Sequence, residues 1–169
     1  MPFSDAEGKP WSEQRVVRSQ PEIIVDLGPG CGTYSDLLRS KTPNTVWAGY
    51  EIWAPYIEEY KLEDKYDVLF NHDVRDVAWT YHRNGLVIAG DILEHMDEFD
   101  ARLLVYKLKR AFRWILVSLP IVHSPQGECF GNIYETHHKD WSFDEMHQLM
   151  DGCDAFRGNT LGVYWWERP

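Results

Sequence analysis

Three cysteines in 169 residues (Cys31, Cys129 and Cys153) are odd in number and widely spaced, which excludes a disulfide framework and points to a reducing compartment, the cytoplasm. Basic charge is scarce too. Lys and Arg number 17 against 27 Asp and Glu, a formal charge of −10. A phosphate backbone needs a basic stripe, so no nucleic-acid partner is expected, and small neutral or cationic ligands suit the chain better. No apolar run approaches the roughly eighteen residues that cross a bilayer, so no membrane partner is expected either. Met1-Pro2-Phe3-Ser4-Asp5-Ala6-Glu7 has neither the basic nor the apolar segment of a secretory leader. Repeats, low-complexity tracts and internal linkers are missing. What remains, 44% hydrophobic and 26% charged residues, suits one domain, and a core of this size buries roughly 70% of the unfolded surface.

Residues 1–21 are polar and punctuated by Pro2, Pro10 and Pro21, which reads as an arm over the surface of a single domain spanning 22–169. Short apolar runs then alternate with helical patterns. Ile23-Ile24-Val25, Val46-Trp47-Ala48, Val68-Leu69-Phe70, Leu86-Val87-Ile88-Ala89 and Ile115-Leu116-Val117 are apolar on consecutive positions, as strands covered on both faces are. A stripe of Ala101, Leu104, Val105, Leu108, Ala111 and Phe112 predicts a helix from Asp97 to Arg113, acidic at its start and basic at its end. A second helix follows Gly32, and Ser142-Phe143-Asp144-Glu145 fits a capping box opening a third. Two short strands, near 154–157 and 161–166, flank the turn residues Gly158-Asn159-Thr160 and predict an antiparallel hairpin. Together these elements make a doubly wound α/β domain.

The most informative segment is Asp26-Leu27-Gly28-Pro29-Gly30-Cys31-Gly32, between the first strand and its helix. Its glycines let a ligand approach bare main chain, and the helix behind them points free N–H groups at it. The dinucleotide pattern Gly-x-Gly-x-x-Gly fails in both registers, because Thr33 and Ser35 stand where the third glycine belongs. A carboxylate at Asp26 would repel a diphosphate and attract a sulfonium or an ammonium. The motif resembles the first motif of class I S-adenosylmethionine-dependent methyltransferases. That resemblance covers residues 22–167. It implies a mostly parallel seven-stranded sheet in the order 3-2-1-4-5-7-6 with a C-terminal antiparallel hairpin, S-adenosyl-L-methionine as cofactor and S-adenosyl-L-homocysteine as product.

Further positions follow along the chain. Glu51, nineteen residues beyond the last glycine, can accept both ribose hydroxyls, with Ile52 beside it. The resemblance implies Asp73 and Val74 for the adenine, Asn71 or Asp76 being alternatives to Asp73. Asp91-Ile92-Leu93-Glu94-His95 resembles the Asp-x-x-Glu-His segment of small-molecule methyltransferases. That likeness sets Asp91 and Ile92 beside the donor and turns Glu94 and His95 towards the substrate mouth. Helix capping near Asp97 is the other reading of His95. The Asn/Asp-Pro-Pro-aromatic signature of nucleobase amino-methyltransferases is missing from both candidate segments. Only about twenty residues precede the first strand, so the cofactor's cover must come from the arm, a later loop or a second copy in a homodimer.

Residues 122–141 form a polar segment of about twenty residues after the fifth strand, where a substrate-side lid is expected. His95, His123 and His137 are candidate general bases, and Glu135 is either a base or an anchor of the loop. His123, Cys129, His137 and His138 match no compact zinc spacing, so no metal is expected. The expected activity is in-line methyl transfer to an O, N or C atom of a small molecule. Its rivals are a non-catalytic cofactor-binding or regulatory subunit and a nicotinamide-dependent oxidoreductase.

Overall fold

The computed structural model describes residues 5–169. Strands β1 (Ile23–Leu27), β2 (Val46–Glu51), β3 (Val68–Asn71), β4 (His82–Gly90) and β5 (Phe112–Pro120) run parallel. Strands β6 (Asp154–Arg157) and β7 (Leu161–Glu167) form the hairpin, and β7 pairs antiparallel with β5. The sheet order is β3-β2-β1-β4-β5-β7-β6, as the resemblance implied.

Alternate residues of each central strand feed opposite cores. Val25, Leu27, Val87, Ala89, Ile115 and Val117 pack with the stripe of helix α5 (Glu98–Ala111) and with Met146 and Met150 of α6 (Phe143–Met150). Ile24, Trp47, Leu86, Ile88 and Leu116 pack on the other face, with Tyr34 and Leu38 of α2 (Thr33–Leu38). Both faces are therefore apolar, which is why these strands read as continuous hydrophobic runs. The neighbours Trp165 and Trp166 split between the two cores, each buried.

Helix α5 is shorter than its stripe suggested. Asp97 is its N-cap, accepting from the amide of Asp100, and at Phe112 the chain passes directly into β5. The run Phe112-Arg113-Trp114-Ile115-Leu116-Val117 gains more as a buried strand between β4 and β7 than as another helical turn. The capping box at Ser142 is complete, with each partner bonding the other's main chain.

The segment read as an arm contains a helix, α1 (Lys9–Ser19); its first four residues lie outside the described ones. Pro10 sits in the first turn, where its missing N–H costs nothing. Val16 enters the core beside α2, while Arg15 pairs with Asp154 of β6 at 2.6 Å and Glu13 with Lys41 at 2.7 Å. Two short helices, α3 (Ala54–Glu59) and α4 (Leu62–Lys65), connect β2 to β3. Among the described residues no helix is long and apolar enough to cross a membrane.

Candidate active site

A cleft of about 910 Å³, counted out to its mouth, opens at the carboxyl ends of β1, β2, β3 and β4, which is where open α/β sheets bind ligands. The loop after β1 contributes Asp26, Gly28, Pro29 and Gly30. Glu51 and Ile52 come from the end of β2, and Asp73 and Val74 from the turn after β3. Asp91, Ile92 and His95 follow β4, and Glu135 comes from the polar loop. These twelve sequence-predicted residues share one cavity.

The loop is built for close approach. Gly28 and Gly30 hold φ of 60° and 55°, and a Cβ on Gly28 would lie 2.9 Å from Ile92 Cδ1. Glu51 ties this loop to the end of β2. Its Oε2 accepts from the amide of Gly30 at 3.1 Å and its Oε1 from that of Trp53 at 2.9 Å. Burial pushes its pKa up to about 7 despite those two bonds. Asp26, 2% exposed, accepts from the Tyr66 hydroxyl at 2.7 Å. Burial raises its pKa to about 7, while Tyr66 and the nearby Lys9 ammonium oppose the rise. Lys9, at the start of α1, is itself buried with its Nζ 4.1 Å from the Tyr34 ring centroid, so α1 reaches the cavity's back wall.

Asp73 is committed locally. Its carboxylate caps a 3-10 turn at Val74–Asp76 by accepting from the Arg75 amide, and it also takes the Arg75 guanidinium at 2.6 Å. Asn71 donates to the carbonyls of Glu51 and Ile52, and Asp76 does not line the cavity.

His95 closes a 3-10 turn, Leu93–His95, and faces the cavity. Asp97 caps α5 unaided, so the capping role for His95 falls away. Burial and the neighbouring His137 ring push the His95 pKa down to about 4.

Four predicted residues are not on the cavity wall, and the first, Glu94, expected at the substrate mouth, is instead buried at 3% exposure. Gly32 instead turns the chain into α2 at φ 85°. His123 is exposed and pairs with Asp140 at 2.6 Å, which holds it away from the site. His137 lies behind His95, edge to face at 4.8 Å, with its Nδ1 donating to the Ser124 carbonyl at 2.5 Å. Nor do His123, Cys129, His137 and His138 come together as a ligand group among the described residues.

Sequence reasoning missed Tyr34, Tyr50, Tyr56, Arg75, Asn132 and Tyr134. Gly131-Asn132 carried a usable signal, because Asn132 caps the Ile133–Glu135 turn by accepting from the Tyr134 amide. The others offer no local signature. With Asn132, Tyr134 and Glu135, the polar loop forms part of the cavity wall.

No family model and no curated protein matches the sequence. Solved structures match its shape. The S-adenosylmethionine-dependent methyltransferase of Aquifex aeolicus aligns over 98% of this chain and 95% of its own, with TM-score 0.64 and 11% identity. The N-terminal domain of EvdMO1, solved with S-adenosylhomocysteine, gives TM-score 0.69 at 13% identity over 98% of this chain and 83% of its own. The chain has the class I methyltransferase fold. Human N-acetylserotonin methyltransferase, solved with S-adenosylmethionine, shares that fold at TM-score 0.67 and 14% identity over 93% of this chain. This methyltransferase-like chain spans about half the length of such larger proteins, 51% of the human enzyme and 56% of a Nostoc punctiforme one.

Proposed function

We propose that the protein transfers a methyl group from S-adenosylmethionine to a nucleophilic atom of a small molecule. The observation that carries this reading is the Glu51 carboxylate, held by the amides of Gly30 and Trp53 at the floor of the cleft. Each of its oxygens uses one lone pair on those amides and keeps another for a ribose hydroxyl. Asp26, Glu51 and Asp91 all face the same cavity. Those three carboxyl groups fit a sulfonium and an ammonium and oppose a diphosphate. Gly28, too close to Ile92 for a side chain, leaves main chain for the nucleoside to lie against.

When bound, S-adenosylmethionine supplies a methyl group already activated by its sulfonium. The chain's part is then to position the acceptor in line and to exclude water. Asn132, Tyr134 and Glu135 wall the cavity on the side of the polar loop. His95, neutral with its Nδ1 proton facing the Thr136 carbonyl at 3.3 Å, keeps Nε2 free to take a proton from an acceptor that must lose one.

Calorimetry with S-adenosylhomocysteine and with NAD tests the cofactor, and turnover of methyl-labelled donor with hydroxyl and amine acceptors tests the reaction. The expected result is S-adenosylhomocysteine binding without NAD binding, followed by label transfer. Tight NAD binding alone would overturn the reading. Bound nucleoside with no transfer to any acceptor would make the protein a binding subunit.

A further inference from the structure

At the cavity wall His95 joins a cluster in which its Nε2, the proton acceptor of the metal-free protein, becomes a ligand when an ion binds. Donor atoms of Glu94, His95 and His137 all lie within 4.8 Å of one another. We propose that these three side chains bind a divalent transition-metal ion whose remaining positions open into the cleft past His95.

Two observations converge. First, both imidazoles are held as metal-bound imidazoles usually are. His137 Nδ1 faces the Ser124 carbonyl at 2.5 Å and His95 Nδ1 faces that of Thr136 at 3.3 Å. A carbonyl only accepts, so each ring carries its proton on Nδ1 and its lone pair on Nε2. Second, Glu94 is 3% exposed, and its Oε2 has no hydrogen-bond partner among the described residues. A buried carboxylate oxygen left without a donor calls for a cation or a proton.

Two imidazole nitrogens and one carboxylate oxygen favour zinc, ferrous iron or manganese over calcium or magnesium. Ligand atoms about 2.1 Å from a shared ion lie no more than about 4.2 Å apart, so closing the triad asks a few tenths of an ångström from each side chain. The set differs from the histidine and cysteine group of the polar loop considered from sequence, sharing only His137. It joins the turn after β4 to that loop, and an ion there would fix the loop against the cavity.

The test uses the full chain, stripped with a chelator and dialysed. Zn²⁺ is titrated by calorimetry and Co²⁺ by visible absorption. One ion per chain is expected, with Co²⁺ bands of a nitrogen- and oxygen-ligated site. His137→Ala and the isosteric Glu94→Gln should each weaken Zn²⁺ by about 100-fold. His123→Ala, on the exposed ring paired with Asp140, should change nothing. Circular dichroism checks that each variant folds, and His137→Gln replaces any that does not. Zn²⁺ binding weaker than about 100 µM, binding indifferent to His137 and Glu94, or binding lost in His123→Ala would each overturn the site. S-adenosylhomocysteine is titrated into the same samples. Nucleoside bound without metal sinks the metal site alone, and metal bound without nucleoside sinks the methyl-transfer reading alone.

Discussion

Tyr66 donates its phenolic hydrogen to Asp26 Oδ2 across 2.7 Å, joining residues forty apart beneath the glycine loop. Without that bond the buried carboxylate would hold its proton more tightly still, because burial is already the largest influence on it. Tyr66→Phe removes a hydrogen bond to a group that titrates near neutrality and leaves its partner unsatisfied. The expected loss is about 1–3 kcal/mol of stability at pH 8, where Asp26 is mostly ionised. Urea denaturation measures it. An unchanged urea midpoint would mean that water replaces the hydroxyl at no cost.

Asp26 and Glu51 both have pKa values raised to about 7, so the site changes charge across the neutral range. In the unfolded chain both groups ionise near pH 4, whereas in the folded chain they hold their protons until about pH 7. Stability from these two groups is therefore full below about pH 4 and is lost as the pH rises to about 7. Affinity for a sulfonium runs the other way, rising from pH 6 to pH 8 as the carboxylates ionise. Calorimetry with S-adenosylmethionine should show that rise, and S-adenosylhomocysteine, whose sulfur is uncharged, should show less of it. Asp26→Asn with Glu51→Gln should flatten both profiles.

Glu51→Ala tests the ribose contact and the loop together. The substitution removes two amide acceptors as well as the lone pairs left for the hydroxyls. S-adenosylhomocysteine affinity is expected to fall by about 1–3 kcal/mol, about fivefold to 150-fold. An affinity equal to that of the parent protein would take Glu51 out of the site.

What could be read ahead of the structure was local. The β1 loop, the hairpin turn and the capping box at Ser142 each place their chemistry within a few residues, and Asp26, Gly28, Pro29, Gly30, Glu51, Ile52, Asp73, Val74, Asp91, Ile92 and His95 all reach one cavity. Helix α1 escaped because Pro10 reads as a break until it is seen to occupy a first turn, and because its anchors, Asp154 and Lys41, are distant in sequence. The histidines of the polar loop could not be ranked for a similar reason. Asp140 draws His123 outward and the Ser124 carbonyl draws His137 inward, and neither choice shows in the order of residues.

Glu7 makes a testable long-range cap. Its carboxylate accepts from the amides of Asn159, Thr160 and Leu161 in the hairpin turn, at 2.6–2.8 Å, and these bonds hold its pKa down at about 2. A lowered pKa stabilises the fold above the ordinary value near 4.5, and that contribution fades as the pH falls towards 2. Glu7→Gln should therefore lower the melting temperature at pH 7, and the gap to the parent should narrow as the medium is acidified. A gap that does not depend on pH would show that the amides are capped equally well by a neutral side chain.

Gly90 decides how the back of the cavity packs. A Cβ there would lie 2.3 Å from Cε2 of Tyr34, whose hydroxyl donates to Ser118 Oγ at 2.9 Å. Both Gly90 and Tyr34 line the cleft, and the Tyr34 ring also carries the Lys9 ammonium above it. Gly90→Ala must push the ring aside, because Tyr34 is buried between α2 and the sheet and has little room to turn. The displaced ring breaks the Ser118 bond and shifts Lys9 relative to Asp26. An overpacked core costs about 1–3 kcal/mol, so the urea midpoint should drop accordingly. Tyr34→Ala alone opens space, and Gly90→Ala added to it should then cost little, a non-additivity expected only if the two positions collide. Equal costs for Gly90→Ala in both backgrounds would place the strain elsewhere.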